Sequence, residues 1–266
     1  MKVACKLMAV LNVTPDSFSD GGKYFDPRAA VSRALQTIDD GADLIDMGAE
    51  STRPGSRGVP ALEQLRRLVP VLRALRARSE IPISIDTQSA KVASVCLAEG
   101  ATMINDISAL RKDRAMAKVL AKSNCGVVLM HMQGTPRTMQ KHPHYKNVVR
   151  DITSFFRERL AACDAAGIDR ARVWLDPGIG FGKTLEHNIA ILKNLSAFSA
   201  LKRPLVIGVS RKGFLGALTG ETIPERRVTA SVVAGLLAVQ RGASVLRVHD
   251  VAEHRAALNV AENCGL

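Results

Sequence analysis

The chain has 266 residues, 37 Lys+Arg against 25 Asp+Glu for a formal net charge of +12, with 47% of residues hydrophobic and 4% aromatic. That length sits near the roughly 250 residues of one α/β barrel and can bury a large core. No apolar run approaches the ~20 residues that span a bilayer, and aromatic residues are too scarce to build nucleic-acid stacking platforms.

Five cysteines, Cys5, Cys96, Cys125, Cys163 and Cys264, are scattered and never form a Cys-x-x-Cys pair. They predict a reduced, cytoplasmic protein rather than a disulfide framework or a zinc site. Lys6 interrupts the first apolar stretch, and Asn12, Pro15 and Asp16 follow where a signal peptide would be cleaved. The basic excess reads as a solvated surface that draws in anionic small molecules, with no nucleic-acid or membrane partner.

Eight short apolar runs follow one another, each ending in a polar or charged residue. They are Leu11-Asn12, Leu44-Ile45-Asp46, Ile83-Ser84-Ile85-Asp86, Met103-Ile104-Asn105-Asp106, Val127-Val128-Leu129-Met130-His131, Val173-Trp174-Leu175-Asp176, Val206-Ile207-Gly208-Val209-Ser210 and Val245-Leu246-Arg247-Val248-His249. Runs of this kind read as strands buried on both faces. Strands are predicted near 7–13, 43–49, 81–87, 103–108, 126–132, 173–178, 205–210 and 244–250. Helices are predicted near 28–40, 60–78, 89–99, 112–123, 146–166, 184–196, 225–241 and 251–262. Asp40-Gly41-Ala42, Glu99-Gly100-Ala101, Ala166-Gly167-Ile168 and Arg241-Gly242-Ala243 end helices ahead of strands.

Strand then helix, eight times, predicts an α/β fold: a single (β/α)8 barrel over residues 1–266. In that fold the carboxyl ends of all strands meet at one catalytic mouth. Asn12, Asp86, Asn105, His131, Asp176, Lys212, Arg247 and His249 then converge from distant parts of the chain. The long segments 14–27, 50–59 and 132–145 follow strands, so they too belong at the mouth, as lids or binding loops.

The segment Asp176-Pro177-Gly178-Ile179-Gly180-Phe181-Gly182-Lys183-Thr184 satisfies neither phosphate-loop motif. Its glycines read as a tight turn, which leaves Asp176 at a strand tip. Gly208-Val209-Ser210-Arg211-Lys212 misses the nucleophile elbow by one residue. Asp86, Asn105, Asp176 and Lys212 together suit a planar heterocycle, since a carboxylate accepts a guanidine-like N–H pair side by side. Arg53, Arg247, His249 and Asn12 form a second group suited to phosphates, with Arg247 expected to point out of the mouth. Asn12 could offer its carbonyl to Mg²⁺. Met130 and Phe181 read as packing residues able to flank a flat ring, and Asp46, Glu50 and Asp106 as structural acids bonding loop amides.

The segment Leu11-Asn12-Val13-Thr14-Pro15-Asp16-Ser17-Phe18-Ser19-Asp20-Gly21-Gly22 resembles the first signature of the dihydropteroate synthase family. Asp46-Met47-Gly48-Ala49-Glu50-Ser51-Thr52-Arg53-Pro54-Gly55 resembles the second, with Ala49 where many members have glycine. Ile85-Asp86-Thr87, Ile104-Asn105-Asp106, Met130-His131-Met132-Gln133-Gly134-Thr135-Pro136, Asp176-Pro177-Gly178-Ile179-Gly180-Phe181, Ser210-Arg211-Lys212 and Arg247-Val248-His249-Asp250 follow in family order.

The resemblance spans nearly the whole chain. It implies a transferase of folate biosynthesis that joins 4-aminobenzoate to (7,8-dihydropterin-6-yl)methyl diphosphate, giving 7,8-dihydropteroate and diphosphate. Under it, Asn12 holds Mg²⁺ on the diphosphate, and Asp86, Asn105, Asp176 and Lys212 bind the pterin. Arg247 and His249 bind the diphosphate, and Phe181 and Ser210 neighbour the aminobenzoate. Asp20 belongs to a first mobile loop, and Thr52 and Arg53 to a second. Asp86, Arg53 and Lys212 are the expected catalytic residues, and a homodimer is implied. Three rivals are a methyltetrahydrofolate-binding methyltransferase, a silent paralogue and a basic nucleic-acid binder. Ser17–Gly22 and Ser210-Arg211-Lys212 argue against the first, and the retained loop and diphosphate residues against the second.

Overall fold

The computed structural model describes residues 5–14, 26–51, 55–56 and 58–265. The strands are β1 (Lys6–Asn12), β2 (Leu44–Gly48), β3 (Ile83–Asp86), β4 (Met103–Asp106), β5 (Gly126–Met130), β6 (Val173–Asp176), β7 (Val206–Ile207) and β8 (Val245–Val248). They form one parallel sheet in the order β6-β5-β4-β3-β2-β1-β8-β7. Its two ends meet through a parallel bridge between Leu175 and Leu205, with Leu175 N donating to Pro204 O at 2.9 Å. The (β/α)8 barrel expected from the sequence is therefore the fold, nearly closed, with its thinnest seam between β6 and β7.

The helices between strands are α1 (Pro27–Asp39), α2 (Ala61–Arg76), α3 (Ala90–Ala98), α4 (Met116–Ala121), α5 (Val148–Ala166), α6 (Leu185–Lys193), α7 (Gly213–Thr219), α8 (Val228–Gln240) and α9 (Val251–Asn263). Side-chain oxygens of Asp26, Ser89, Asn147 and Thr184 take up free N–H groups at the starts of α1, α3, α5 and α6, as expected of capping residues. Gly41, Gly100 and Gly242 adopt φ of 97°, 98° and 100° as they lead from helix to strand. Among the described residues no helix is long and apolar enough to cross a membrane.

Successive side chains of a strand point to opposite faces. One set (Leu7, Ala9, Ile45, Ile85, Ile104, Leu129, Leu175, Ile207, Leu246, Val248) is buried in the large core shared with the helices. The alternate set turns into the barrel. Met8, Leu44, Met103, Val128, Val206 and Val245 pack there with Trp174 as an apolar floor. Two residues further along the same faces come Val10, Asp46, Asn105, Met130, Asp176, Gly208 and Arg247, so the interior changes from apolar to charged towards the mouth.

Candidate active site

The charged layer is built around Asp46, which is fully buried. Its carboxylate accepts hydrogen bonds from Ser84 Oγ at 2.6 Å, Asn105 Nδ2 at 3.0 Å and Arg247 Nε at 2.6 Å. Arg247 NH2 reaches on to Asp86 at 3.1 Å. Burial alone would lower the Arg247 pKa, but the carboxylates of Asp46 and Asp86 more than offset it, so the guanidinium stays charged. Arg247 thus lies inside the barrel and does not project from the mouth. Asp46 bonds side chains from three other strands, not loop amides, whereas Asp106 does accept the N–H groups of Ser108 and Leu110, each at 2.8 Å.

Above this layer opens a recess lined by Asp86, Asn105, Ile107, Met130, Asp176, Gly178, Ile179, Phe181, Gly208, Lys212 and Arg247. Burial, followed by the repulsion of Asp46, pushes the Asp86 carboxyl up to about 7. Asp176 is raised by burial and drawn back by the Gly178 N–H, 2.7 Å away, and by the cations around it. Asn105 spends its amide N–H on Asp46, and its buried Oδ1 has no hydrogen-bond partner among the described residues. A buried acceptor left open this way carries an appreciable desolvation cost unless something docks against it. Lys212 Nζ stands 4.3 Å from the centroid of the Phe181 ring, within cation–π range. Ile107, Met130, Met132 and Met139 pack with Phe181 as an apolar wall.

The tips of β7 and β8 meet beside this recess. Ser210 Oγ accepts the His249 backbone N–H at 3.2 Å and lies 3.1 Å from His249 Nδ1. Burial, reinforced by Arg247 and Arg211, lowers the His249 pKa to about 3, so the ring is neutral. A hydroxyl that accepts from the backbone can donate to Nδ1, which leaves Nε2–H as a donor. Arg211 pairs with Asp250, with Nε 3.0 Å from Oδ2, and its N–H donates to Ser231 Oγ at 2.9 Å. Asn12 is half-buried at the tip of β1, one strand from β8.

The sequence brought Asp86, Asn105, Asp176 and Lys212 to one pocket, and the structure adds Arg247 and Phe181 to it. A model of the pterin binding enzyme family matches residues 8–249. A dihydropteroate synthase of Escherichia coli (strain K12) is 43% identical over 256 residues, 96% of this chain and 90% of that protein. The chain belongs to the dihydropteroate synthase family of pterin-binding enzymes.

Solved members of that family share the fold. A Xanthomonas albilineans dihydropteroate synthase with 4-aminobenzoic acid superposes with a TM-score of 0.92 at 46% identity, over 98% of this chain and 93% of that one. The Xanthomonas albilineans enzyme in complex with 7,8-dihydropteroate gives 0.89 at 42% identity, over 99% and 95%. Asp20, Thr52 and Arg53 lie outside the described residues. Sequence reasoning missed the Asp46 hub and Lys183, which is buried beside His131 with Nζ 3.1 Å from Nδ1. For Asp46, the available signal was its two-residue offset from the inward-facing Leu44. Lys183 had no such signal, because it lies in a loop.

Proposed function

We propose that the chain condenses 4-aminobenzoate with (7,8-dihydropterin-6-yl)methyl diphosphate, forming 7,8-dihydropteroate and releasing diphosphate in folate biosynthesis. The observation that carries this reading is the convergence of Asp86, Asn105, Asp176, Lys212 and Arg247 on one recess that holds a buried acceptor unpaired among the described residues. Donors and acceptors arranged this way match the edge of a pterin, with Asp176 taking the ring's N–H pair and Asn105 Oδ1 a further N–H. Met130 flanks the flat bicycle, and Phe181 neighbours the 4-aminobenzoate.

In the reaction the C–O bond to diphosphate breaks first, and a pterin-methylene cation forms. Asp86 is placed to offset that positive charge. Arg247, held at the recess by two carboxylates, and His249, through Nε2–H, stabilise the departing diphosphate. The neutral amine of 4-aminobenzoate then attacks the methylene carbon and loses a proton. Because the electrophile is already cationic, no activated nucleophile on the protein is required. By resemblance to the family, Arg53 and Thr52 serve the diphosphate and aminobenzoate, and Asp20 belongs to the first loop.

Among the described residues no group of three or more His, Cys, Asp or Glu forms a metal cage. A lone amide such as Asn12 fits Mg²⁺ carried on a diphosphate, since this ion keeps several waters and uses few protein ligands. Asn12 would hold the ion, which when bound supplies charge neutralisation on the leaving oxygens. The protein acts as a cytoplasmic homodimer. Reduced thiols support that compartment: Cys5, Cys96, Cys125 and Cys163 are buried and Cys264 is exposed, all free. Diphosphate release from the two substrates, with and without Mg²⁺, tests the reaction. Release that requires both substrates and falls on chelation supports it, and release from the pterin diphosphate alone refutes it.

A further inference from the structure

The loop from Asp176 to Thr184 is held at three consecutive carbonyls. Gln140 Nε2 donates to Gly180 O at 2.8 Å, Lys183 Nζ to Phe181 O at 2.9 Å and Tyr145 Oη to Gly182 O at 2.8 Å. Surface-loop carbonyls are ordinarily satisfied by water, so three side chains aimed at three successive ones form a device beyond the turn itself. Gln140 and Tyr145 come from the segment between β5 and α5. That segment is braced by Gln133, which exchanges hydrogen bonds with the His144 backbone at 2.8 and 2.9 Å. The Gln140 and Tyr145 bonds tie the segment to the Asp176–Thr184 loop.

Lys183 is the least expected member. Its amine is buried, and burial lowers its pKa to about 7. Burial likewise drives the His131 pKa far down, so the neutral ring offers Nδ1 to the amine. An amine is costly to bury where a methionine would fill the same space. The loop lies so close to that segment that a Cβ on Gly182 would come within 2.8 Å of Gln133 O. Between the held carbonyls stands Phe181, whose ring faces Lys212 at the pocket wall.

We infer that Gln140, Lys183 and Tyr145 are positioning residues that fix the Phe181 ring and so set the site for the amine-bearing substrate. This rests on the reaction proposed above, with 4-aminobenzoate entering beside Phe181. Steady-state kinetics on the full-length Lys183→Met, Phe181→Ala and double variants test it. Lys183→Met is expected to raise KM for 4-aminobenzoate about tenfold and to move KM for the pterin diphosphate less than about twofold. The double variant is expected to match Phe181→Ala alone, because Lys183 acts through that ring. A rise in both KM values, effects that multiply, or no change overturns the inference. If Lys183→Met fails to melt cooperatively, Tyr145→Phe removes one hydroxyl only. It is expected to raise KM for 4-aminobenzoate about two- to threefold without compounding Phe181→Ala, and an unchanged KM overturns the inference. A wild-type protein that turns over neither substrate refutes the reaction itself, whereas an active wild type with unresponsive variants refutes only the positioning role.

Discussion

Asp86 shows how a binding residue opposes stability. Its pKa is raised from 3.8 to about 7, first by burial and then by Asp46, so the folded protein holds its proton more tightly than the unfolded chain does. That contribution to stability is fully present below about 4 and is lost as pH climbs through about 7. Asp86→Asn keeps the acceptor for Arg247 and cannot ionise. Its melting temperature should therefore gain on the wild type between pH 5 and pH 8, by roughly 4–8 °C for about 2 kcal/mol in a domain of this size. Pterin affinity should fall at the same time, and melting curves that shift in parallel at both pH values would refute the assignment. Asp176→Asn tests the other carboxylate. Losing charge-assisted hydrogen bonds worth about 1.5–3 kcal/mol should weaken pterin binding about 10- to 100-fold by calorimetry. These two acids were legible because each ends an apolar run, and a polar residue at the tip of a doubly buried strand has the barrel mouth as its natural outlet. The direction of Arg247 was not, since the run Val245-Leu246-Arg247-Val248 is polar at a single position and its inward face becomes plain only once Val245 is seen in the floor.

At the scale of elements, the eight strands and most helices follow from periodicity, and the departures have local causes. β7 stops at Ile207 although the apolar run continues to Val209, because the chain must turn within a few residues and Arg211 takes a left-handed φ of 59°. Helix α7 went unread because seven residues containing two glycines carry too little periodicity. The Asp176–Thr184 loop was read as a simple turn, yet it is seated tightly on the exit of β5. Gly178 adopts φ +67°, and a Cβ there would lie 2.0 Å from His131 O, whereas Gly167 at φ +77° has nothing within 4 Å. Gly167→Ala should cost only the left-handed penalty of about 1–2 kcal/mol, and Gly178→Ala distinctly more, because backbone must move. Thermal melts of the two variants should show at least about twice the loss for Gly178→Ala. Calorimetry should show weakened pterin binding for Gly178→Ala alone, and equal losses would mean the loop tolerates displacement.

At the scale of the molecule, four exposed apolar residues bear on the homodimer proposed above. Leu218 on α7, Ile223 in the following turn, and Val233 and Leu237 on α8 are exposed, and these three elements pack against one another. Val233 and Leu237 are four residues apart, so they share one helix face. An isolated exposed apolar residue such as Leu62 needs no explanation, whereas four on adjoining elements suit the homodimer proposed above. A partner of the same kind suits this group better than a basic or acidic one, because the group is apolar and most oligomers are isologous pairs. The site lies at the carboxyl ends of the strands, and the two copies would meet through the outer face of helices, so association leaves both mouths open. Val233→Glu with Leu237→Glu places two charges on that helix face. Sedimentation should show the wild type at twice the chain mass and the double variant at the chain mass, with pterin affinity retained. A wild type that sediments as a monomer at high concentration, or a variant that still pairs, would assign the patch no such role.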